Sequence, residues 1–253
     1  MARDHALALA GPADCAVLRV YRWSEPSVSL GRNEPALDRY DRSKLMESRL
    51  GVVRRPTGGR AVLHHRELTY ALIAPLSGPR APRCVYRRAN RALVRALRAL
   101  GTAAEMAGPP VSASRPDAGA CFGRPAEHEV VVGGRKLVGS AQARFGRRVL
   151  QHGSVLLHDD QGLLGGLAAD HQGNPQGLRA YDPPDAGSVA LANLLPTPPS
   201  WEEVAEAVVA GFRMEWGGDW TGAEAERSLP SEVGILEEEL RTRYASESWT
   251  WRR

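Results

Sequence analysis

Residues 54–72 of the chain, RRPTGGRAVLHHRELTYAL, decide how the rest of the sequence is interpreted. Strands are predicted on both sides of its glycine-containing loop: residues 52–55 before it, and residues 61–64 and 68–74 after it. The glycines of residues 56–59 let the backbone approach a ligand closely and present N–H groups to oxygen atoms. The loop is no nucleotide P-loop, because Gly-Lys-Ser/Thr is missing and a strand follows. From the residues alone it is either a ligand-binding loop or a tight turn.

A β-hairpin is predicted at residues 127–139, around a Gly-Gly turn that tolerates positive φ angles. This turn pairs Val131 with Lys136. The same register places Glu129 opposite Val138 and diagonal to Lys136, within reach on one face of the hairpin. Further strands are predicted at residues 16–23, 27–30 and 150–157.

Helical periodicity is clearest in residues 84–100, where apolar side chains form one stripe. Arginines lie largely off this stripe and form either a solvated face or a docking surface for an acidic carrier protein: Arg87, Arg88, Arg91, Arg95 and Arg98. Because most strands precede the late helices, we predict an α+β fold rather than a doubly wound one. The other predicted helices are residues 2–10, 37–50, 200–214 and 231–244, and residues 158–200 are predicted to be connection.

Composition excludes several classes of protein. The 253 residues are 43% hydrophobic, and no run approaches the about 18 apolar residues of a membrane span. A net charge of +4 suits acidic partners, but no nucleic-acid-binding motif is present. The histidines lack metal-ligand spacing, so we expect no metal. The three cysteines are scattered without CxxC spacing, and no convincing signal peptide precedes them, so we predict a cytoplasmic protein.

Lysine is rare in this chain. Of 33 basic residues only Lys44 and Lys136 are lysines, so a retained lysine is enriched for a task that arginine cannot perform. Cys121 lies in a loop of small residues before the hairpin that carries Lys136. It is either an inert buried thiol or a nucleophile whose thiolate Lys136 stabilises.

Three segments together resemble the lipoate/biotin protein ligase superfamily: residues 54–72, ACFGRPAEHEVVVGGRKLVGSAQ (residues 120–142) and LQHGSVLL (residues 150–157). The resemblance implies a central, mostly antiparallel mixed β-sheet flanked by helices, in a single domain. We expect its catalytic core at about residues 20–215 and a helical C-terminal tail at about residues 216–253. It also implies an acyl channel with a lysine at its mouth. The residues expected to bind substrate are Arg55, Gly58, Gly59, His64, Gly139, Ser140, Ala141 and His152.

Two details favour the octanoyltransferase branch of this superfamily. The chain ends soon after one helical tail, without the accessory domain that ATP-dependent lipoate ligases usually carry. Cys121 occupies the place of the branch's acyl-accepting cysteine, in an Ala-Cys-Phe motif. The branch usually continues Pro-Ser-x-Tyr-Glu, whereas this chain has PAEHE at residues 125–129, which alters the expected shape of the pocket.

The resemblance therefore implies an octanoyl-[acyl-carrier-protein]:protein N-octanoyltransferase of lipoate biosynthesis, acting through a thioester on Cys121 with Lys136 as its catalytic partner. The donor would be acyl carrier protein, and the acceptor a lysine of a lipoyl domain or of the glycine-cleavage H protein. No ATP or metal is expected, because transfer from thioester to amide is downhill. The alternatives are an ATP-dependent lipoate ligase lacking its accessory domain, a lipoyl-protein octanoyl amidotransferase, and a non-catalytic binding module.

Overall fold

The structure is a computed structural model that describes residues 1–37, 39–78, 80–109, 127–167 and 187–252. In these ranges the strands are β1 Val17–Tyr21, β2 Ser27–Leu30, β3 Gly51–Arg54, β4 Val62–His64, β5 Glu67–Pro75, β6 Glu105–Met106, β7 Val130–Val132, β8 Arg135–Phe145 and β9 Arg148–Leu156. The α-helices are α1 Ala2–Ala10, α2 Arg42–Glu47, α3 Ala81–Ala99, α4 Leu191–Leu194, α5 Trp201–Trp216, α6 Ser231–Ala245 and α7 Glu247–Thr250. Short 3-10 helices cover Gln161–Leu167 and Ala223–Ser228.

Two sheets form the framework. The larger has the strand order β1-β5-β9-β8-β7-β6, and its neighbouring strands are antiparallel. The smaller has the order β3-β2-β4, in which β2 is parallel to β3 and antiparallel to β4. The predicted α+β fold with a mostly antiparallel mixed sheet is confirmed.

Helices cover both faces of the larger sheet. Successive side chains of a strand point to opposite faces, and in β5 one set packs under α3 and α5 while the other packs under α1 and α6. Leu72 belongs to the first set and Ile73 to the second. This explains why β5 is buried from its first residue to Ala74, and why its sequence is continuously apolar from Tyr70 to Ala74.

Two predicted details are wrong. The helix predicted at residues 37–50 is only the six-residue α2. Asp41 caps it, and in this helix only Leu45 is buried, so no apolar stripe extends it. In the hairpin, Val131 pairs with Lys136 as predicted, but a β-bulge then places Val130 rather than Glu129 opposite Val138.

The helices that follow α5 lie against earlier elements. α6 packs on α1, where Val233 joins the same apolar cluster as Leu7. α7 contacts β3 at the edge of the smaller sheet. Within the described ranges, we find no helix with the length and apolar character needed to cross a lipid bilayer.

Candidate functional site

A cavity lies between the smaller sheet and strands β5, β8 and β9. Its lining brings together six residues that were predicted to bind substrate: Arg55, His64, Gly139, Ser140, Ala141 and His152. Residues that the sequence did not single out complete the wall: Ser29, Val62, Thr69, Gly153 and Ser154, with Met1.

Small residues let the facing strands β8 and β9 approach closely beside the cavity. A Cβ atom on Gly153 would lie 2.2 Å from the carbonyl oxygen of Gly139 and 2.8 Å from Cε1 of Tyr70. Both distances are far below van der Waals contact, so glycine is required at position 153.

Arg55 fixes the conformation of the glycine loop, residues 56–60. Its buried guanidinium donates to the carbonyl oxygens of Gly58 at 2.8 Å and Arg60 at 2.6 Å. It also donates to the carbonyl oxygen of Ser29 at 2.8 Å, which ties the loop to β2. Gly58 and Gly59 are exposed and lie outside the cavity lining, so they contribute backbone geometry rather than cavity wall. Gly59 has a φ of +91°, which favours glycine.

A directed chain of hydrogen bonds fixes His64. Its Nδ1 lies 2.8 Å from a carboxylate oxygen of Glu67, and its Nε2 lies 2.7 Å from the hydroxyl of Ser29. Because a carboxylate only accepts, we place the proton on Nδ1, and the Ser29 hydroxyl then donates to Nε2. Arg55 donates to the same hydroxyl oxygen at 3.2 Å. Trp23 stacks on the imidazole, with ring centroids 4.3 Å apart.

His152 lies on β9 at the glycine loop. Its Nε2 is 2.6 Å from the hydroxyl of Thr57, and both residues are buried. Burial lowers the pKa of His152 from 6.5 to about 3, assisted by Arg55 and opposed by Asp4. The imidazole is therefore neutral near pH 7, and it is suited to hydrogen bonding rather than to carrying charge.

The Ser140 hydroxyl is anchored on the face of the sheet that packs under α3 and α5. Its hydroxyl lies 2.8 Å from that of Tyr70, which also accepts from the amide of Gln151 at 3.0 Å. Burial raises the pKa of Tyr70 to about 12, so it remains a neutral hydrogen-bonding group. Gln142 continues the network by donating to Gln151 and to the carbonyl of Pro82 in α3.

Lys136 is buried at the start of β8, three residues before Gly139. Its Nζ lies 2.7 Å from a carboxylate oxygen of Glu129, and the side chains are 2% and 8% exposed. The predicted proximity of Glu129 and Lys136 is thus confirmed, and the pair lies on a buried face of the hairpin. Cys121 lies outside the described residues, so its prediction as nucleophile stays a prediction.

The arginines of α3 divide into two groups. Arg88 donates to the backbone at the end of α5, Arg91 and Arg95 pair with Glu215, and Arg98 donates to a carbonyl. Nearer the start of the helix, Arg80, Arg83 and Arg87 line a groove together with Gln142 and Glu127. In the part of the chain that the structure describes, no carboxylate pairs with these three.

Sequence reasoning overlooked Ser29, Thr57, Glu67 and Tyr70. A usable signal existed in the segment ELTY, where polar Glu67 and Thr69 alternate with apolar side chains at the start of a strand. Alternation of this kind indicates that one face of the strand meets something polar.

Comparisons with known proteins agree with this arrangement. A family model described as the lipoyl protein ligase A/B catalytic domain matches residues 1–213. The octanoyltransferase LipM of Kyrpidia tusciae is 38% identical over 244 residues, covering 93% of this chain and 87% of that protein. The octanoyltransferase LipM of Symbiobacterium thermophilum is 36% identical over 262 residues, covering 100% and 93%.

A solved structure of a T. acidophilum lipoate protein ligase with bound lipoic acid has a TM-score of 0.78 at 23% identity, covering 99% of this chain and 91% of that one. At this identity the likeness establishes the fold alone. The family model and the relatives, which extend along most of the chain, establish more: the chain belongs to the lipoyl protein ligase A/B catalytic domain family, and within it to the octanoyltransferases, which makes it an acyltransferase.

Proposed function

We propose that this octanoyltransferase of lipoate biosynthesis moves an octanoyl group from the thioester of acyl carrier protein to a lysine amine. The acceptor lysine belongs to a lipoyl domain or to the glycine-cleavage H protein, and the reaction takes place in the cytoplasm. The observation that carries the proposal is identity of 36–38% to octanoyltransferases along nearly the whole chain. The cavity supports it, because six of the residues predicted to bind substrate line it together.

The proposed reaction has two steps. The Cys121 thiolate attacks the octanoyl carbonyl, and the C–S bond to the carrier breaks, so that the carrier leaves as a thiol after taking up a proton. The lysine amine of the acceptor then attacks the new thioester, loses a proton and forms an amide, and the Cys121 thiolate leaves. Thioester exchange is nearly balanced and amide formation is downhill, so we propose that neither ATP nor a metal ion takes part.

In this proposal Lys136 supplies positive charge to the thiolate and to the oxyanion of each tetrahedral intermediate. The ammonium also pairs with Glu129 at 2.7 Å, so in this proposal it is shared between that carboxylate and the thiolate. Neutral His152, with His64 and Arg55, shapes the wall for the acyl chain. Gly139, in register with Ser154 on the cavity face of the sheet, adds no side chain to that wall.

The decisive experiment is intact mass spectrometry after incubation with octanoyl-acyl carrier protein, with and without ATP. We expect one added octanoyl group without ATP, released by neutral hydroxylamine and absent from Cys121→Ala. Cys15 and Cys84 are exposed thiols, so Cys15→Ala and Cys84→Ala are matched controls and should retain the adduct. Labelling that survives in Cys121→Ala would disprove the acyl-enzyme.

The same protein distinguishes the other activities. Lipoate-dependent exchange of pyrophosphate into ATP would identify a ligase instead. Acylation by an octanoylated lipoyl protein, with none by octanoyl-acyl carrier protein, would identify an amidotransferase.

A further inference from the structure

The tandem arginines of the motif face opposite directions. Arg55 holds the glycine loop, whereas the guanidinium of Arg54 is fully buried and points away from the cavity. Arg54 donates to the carbonyl oxygens of Gly31 at 2.7 Å, Glu34 at 2.8 Å and Arg32 at 3.3 Å, all in the loop after β2.

The remaining acceptors of Arg54 come from the end of the chain. It donates to the carbonyl oxygens of Thr250 at 2.9 Å and Arg252 at 3.1 Å. A buried guanidinium is costly unless its N–H groups are satisfied. Burial also lowers the pKa of Arg54. Without residues 250–252, the N–H groups of Arg54 that donate to Thr250 and Arg252 would lose their acceptors.

Side chains of residues 246–252, the terminal segment, also donate hydrogen bonds back to β3 and to the loop after β2. Trp249 donates its indole N–H to the carbonyl oxygen of Arg54 at 2.8 Å. Its ring is flanked by Arg243 at 3.8 Å and Arg252 at 3.9 Å, measured from each guanidinium carbon to the ring centroid. Arg252 in turn donates to the carbonyl oxygen of Arg32 at 2.7 Å.

The loop of residues 31–34, which Arg54 and Arg252 hold, also contacts the glycine loop beside the cavity. The amide of Arg32 donates to the carbonyl oxygen of Thr57 at 2.8 Å, and the Thr57 hydroxyl contacts His152. Gly31 lies so close to the glycine loop that a Cβ atom there would be 1.8 Å from the carbonyl oxygen of Gly59. A movement of residues 31–34 therefore displaces the loop that carries Thr57.

We propose that the terminal segment, residues 246–252, positions the glycine loop through Arg54, although it lies beyond residues 1–213 matched by the family model. Trp249, Arg252 and Arg54 are then positioning residues, since none of them lines the cavity. That the cavity receives an acyl chain rests on the proposed function; the contacts themselves do not.

The test compares Trp249→Phe with Trp220→Phe. Phenylalanine keeps an aromatic ring between the two arginines but removes the N–H donor to Arg54. Trp220 is a matched control, because its N–H also donates to a carbonyl, that of Gly217 at 3.0 Å. Hydrogen exchange is measured at the amide of Arg32, which donates to Thr57, and at the amide of Leu72 in the core. We expect about tenfold faster exchange at Arg32, with Leu72 changed less than about twofold, in Trp249→Phe only.

Steady-state kinetics give the functional measurement. In Trp249→Phe the KM for the octanoyl donor should rise about fivefold while kcat changes less than about twofold, since the loop is loosened and the reacting groups are intact. Equal acceleration at Arg32 and Leu72, or unchanged exchange at Arg32, overturns the inference. If Trp249→Phe does not fold, Arg252→Met replaces it, because that partly exposed side chain also bonds residues 31–34. An inactive wild-type enzyme would refute the proposed function, while the exchange data would still decide the positioning role.

Discussion

The buried pair of Lys136 and Glu129 gives the most demanding test of the site, because its contributions to stability and to chemistry can be separated. The perturbations are Glu129→Gln, Lys136→Met and the double variant. Removing one partner of a buried ion pair costs about 3–5 kcal/mol, because a charge is left in a poorly solvated place. At an N–O distance of 2.7 Å and 2% exposure of the lysine side chain, this pair belongs to that class.

We therefore expect each single variant to lose about 3 kcal/mol or more of unfolding free energy, measured by urea denaturation. The double variant should lose less than the sum by at least about 1 kcal/mol, since it leaves neither charge alone. Additive losses would mean that the two groups are not coupled in solution.

The chemical role is measured separately, by the pH dependence of Cys121 alkylation in the folded protein. A free cysteine has a pKa near about 8.5, so only about a tenth is thiolate at pH 7.5. If Lys136 lowers this pKa by about 2 units, Lys136→Met should raise the alkylation midpoint by the same amount. An unchanged midpoint would remove Lys136 from the mechanism. Lys136→Arg should lose at least about 10²-fold in turnover. Its folding must be checked as well, because a larger side chain overpacks this site.

Three further outcomes are expected. Burial lowers the pKa of His152 from 6.5 to about 3, so between these pH values the unfolded chain binds more protons, and the free energy of unfolding falls as the pH drops below about 6.5. Between pH 7 and pH 5, His152→Gln should lose about 2 kcal/mol less unfolding free energy than wild type, measured by urea denaturation at each pH. The same pH dependence of unfolding free energy in both proteins would contradict the assignment. Gly153→Ala should lower the Tm by about 2–10 °C, because its Cβ meets backbone at 2.2 Å, and an unchanged Tm would show that the strands separate freely. Replacing Arg80, Arg83 and Arg87 of the groove by Gln should weaken the salt dependence of Cys121 acylation by octanoyl-acyl carrier protein, whereas an unaltered dependence would place docking elsewhere on the protein.

Local sequence rules predicted the elements that are specified locally. The apolar stripe of α3 and the Gly-Gly turn between β7 and β8 were found because one helix face or two residues determine them. The helix at residues 37–50 failed because polar residues without an apolar stripe have no core to pack against. The hairpin bulge was also missed, since a turn fixes only the first pairs and the packing of Leu137 into the core decides the rest.

The candidate site was predictable in its motifs but not in its polar partners. Arg55, His64 and His152 belong to recognisable strings, and the structure gathers them. Ser29, Glu67 and Thr57 come from three different segments, and their proximity depends on the crossing of two sheets. Pairing patterns within one strand contain no information on that crossing. The partner of Arg54, almost two hundred positions away in sequence, is beyond any local rule.

The scarcity of lysine gains a physical meaning from these contacts. Arg54 and Arg55 each donate to several carbonyl oxygens at once, which requires the planar fork of a guanidinium with its five N–H groups. An ammonium has three donors and could not satisfy the five carbonyls around Arg54. Position 136 requires the opposite shape, because a compact cation must fit beside the Glu129 carboxylate, and the lysine side chain there is only 2% exposed. Arginine is present where one side chain must donate to several carbonyl oxygens at once. Lysine is present at position 136, where the size of the cation matters as well as its charge.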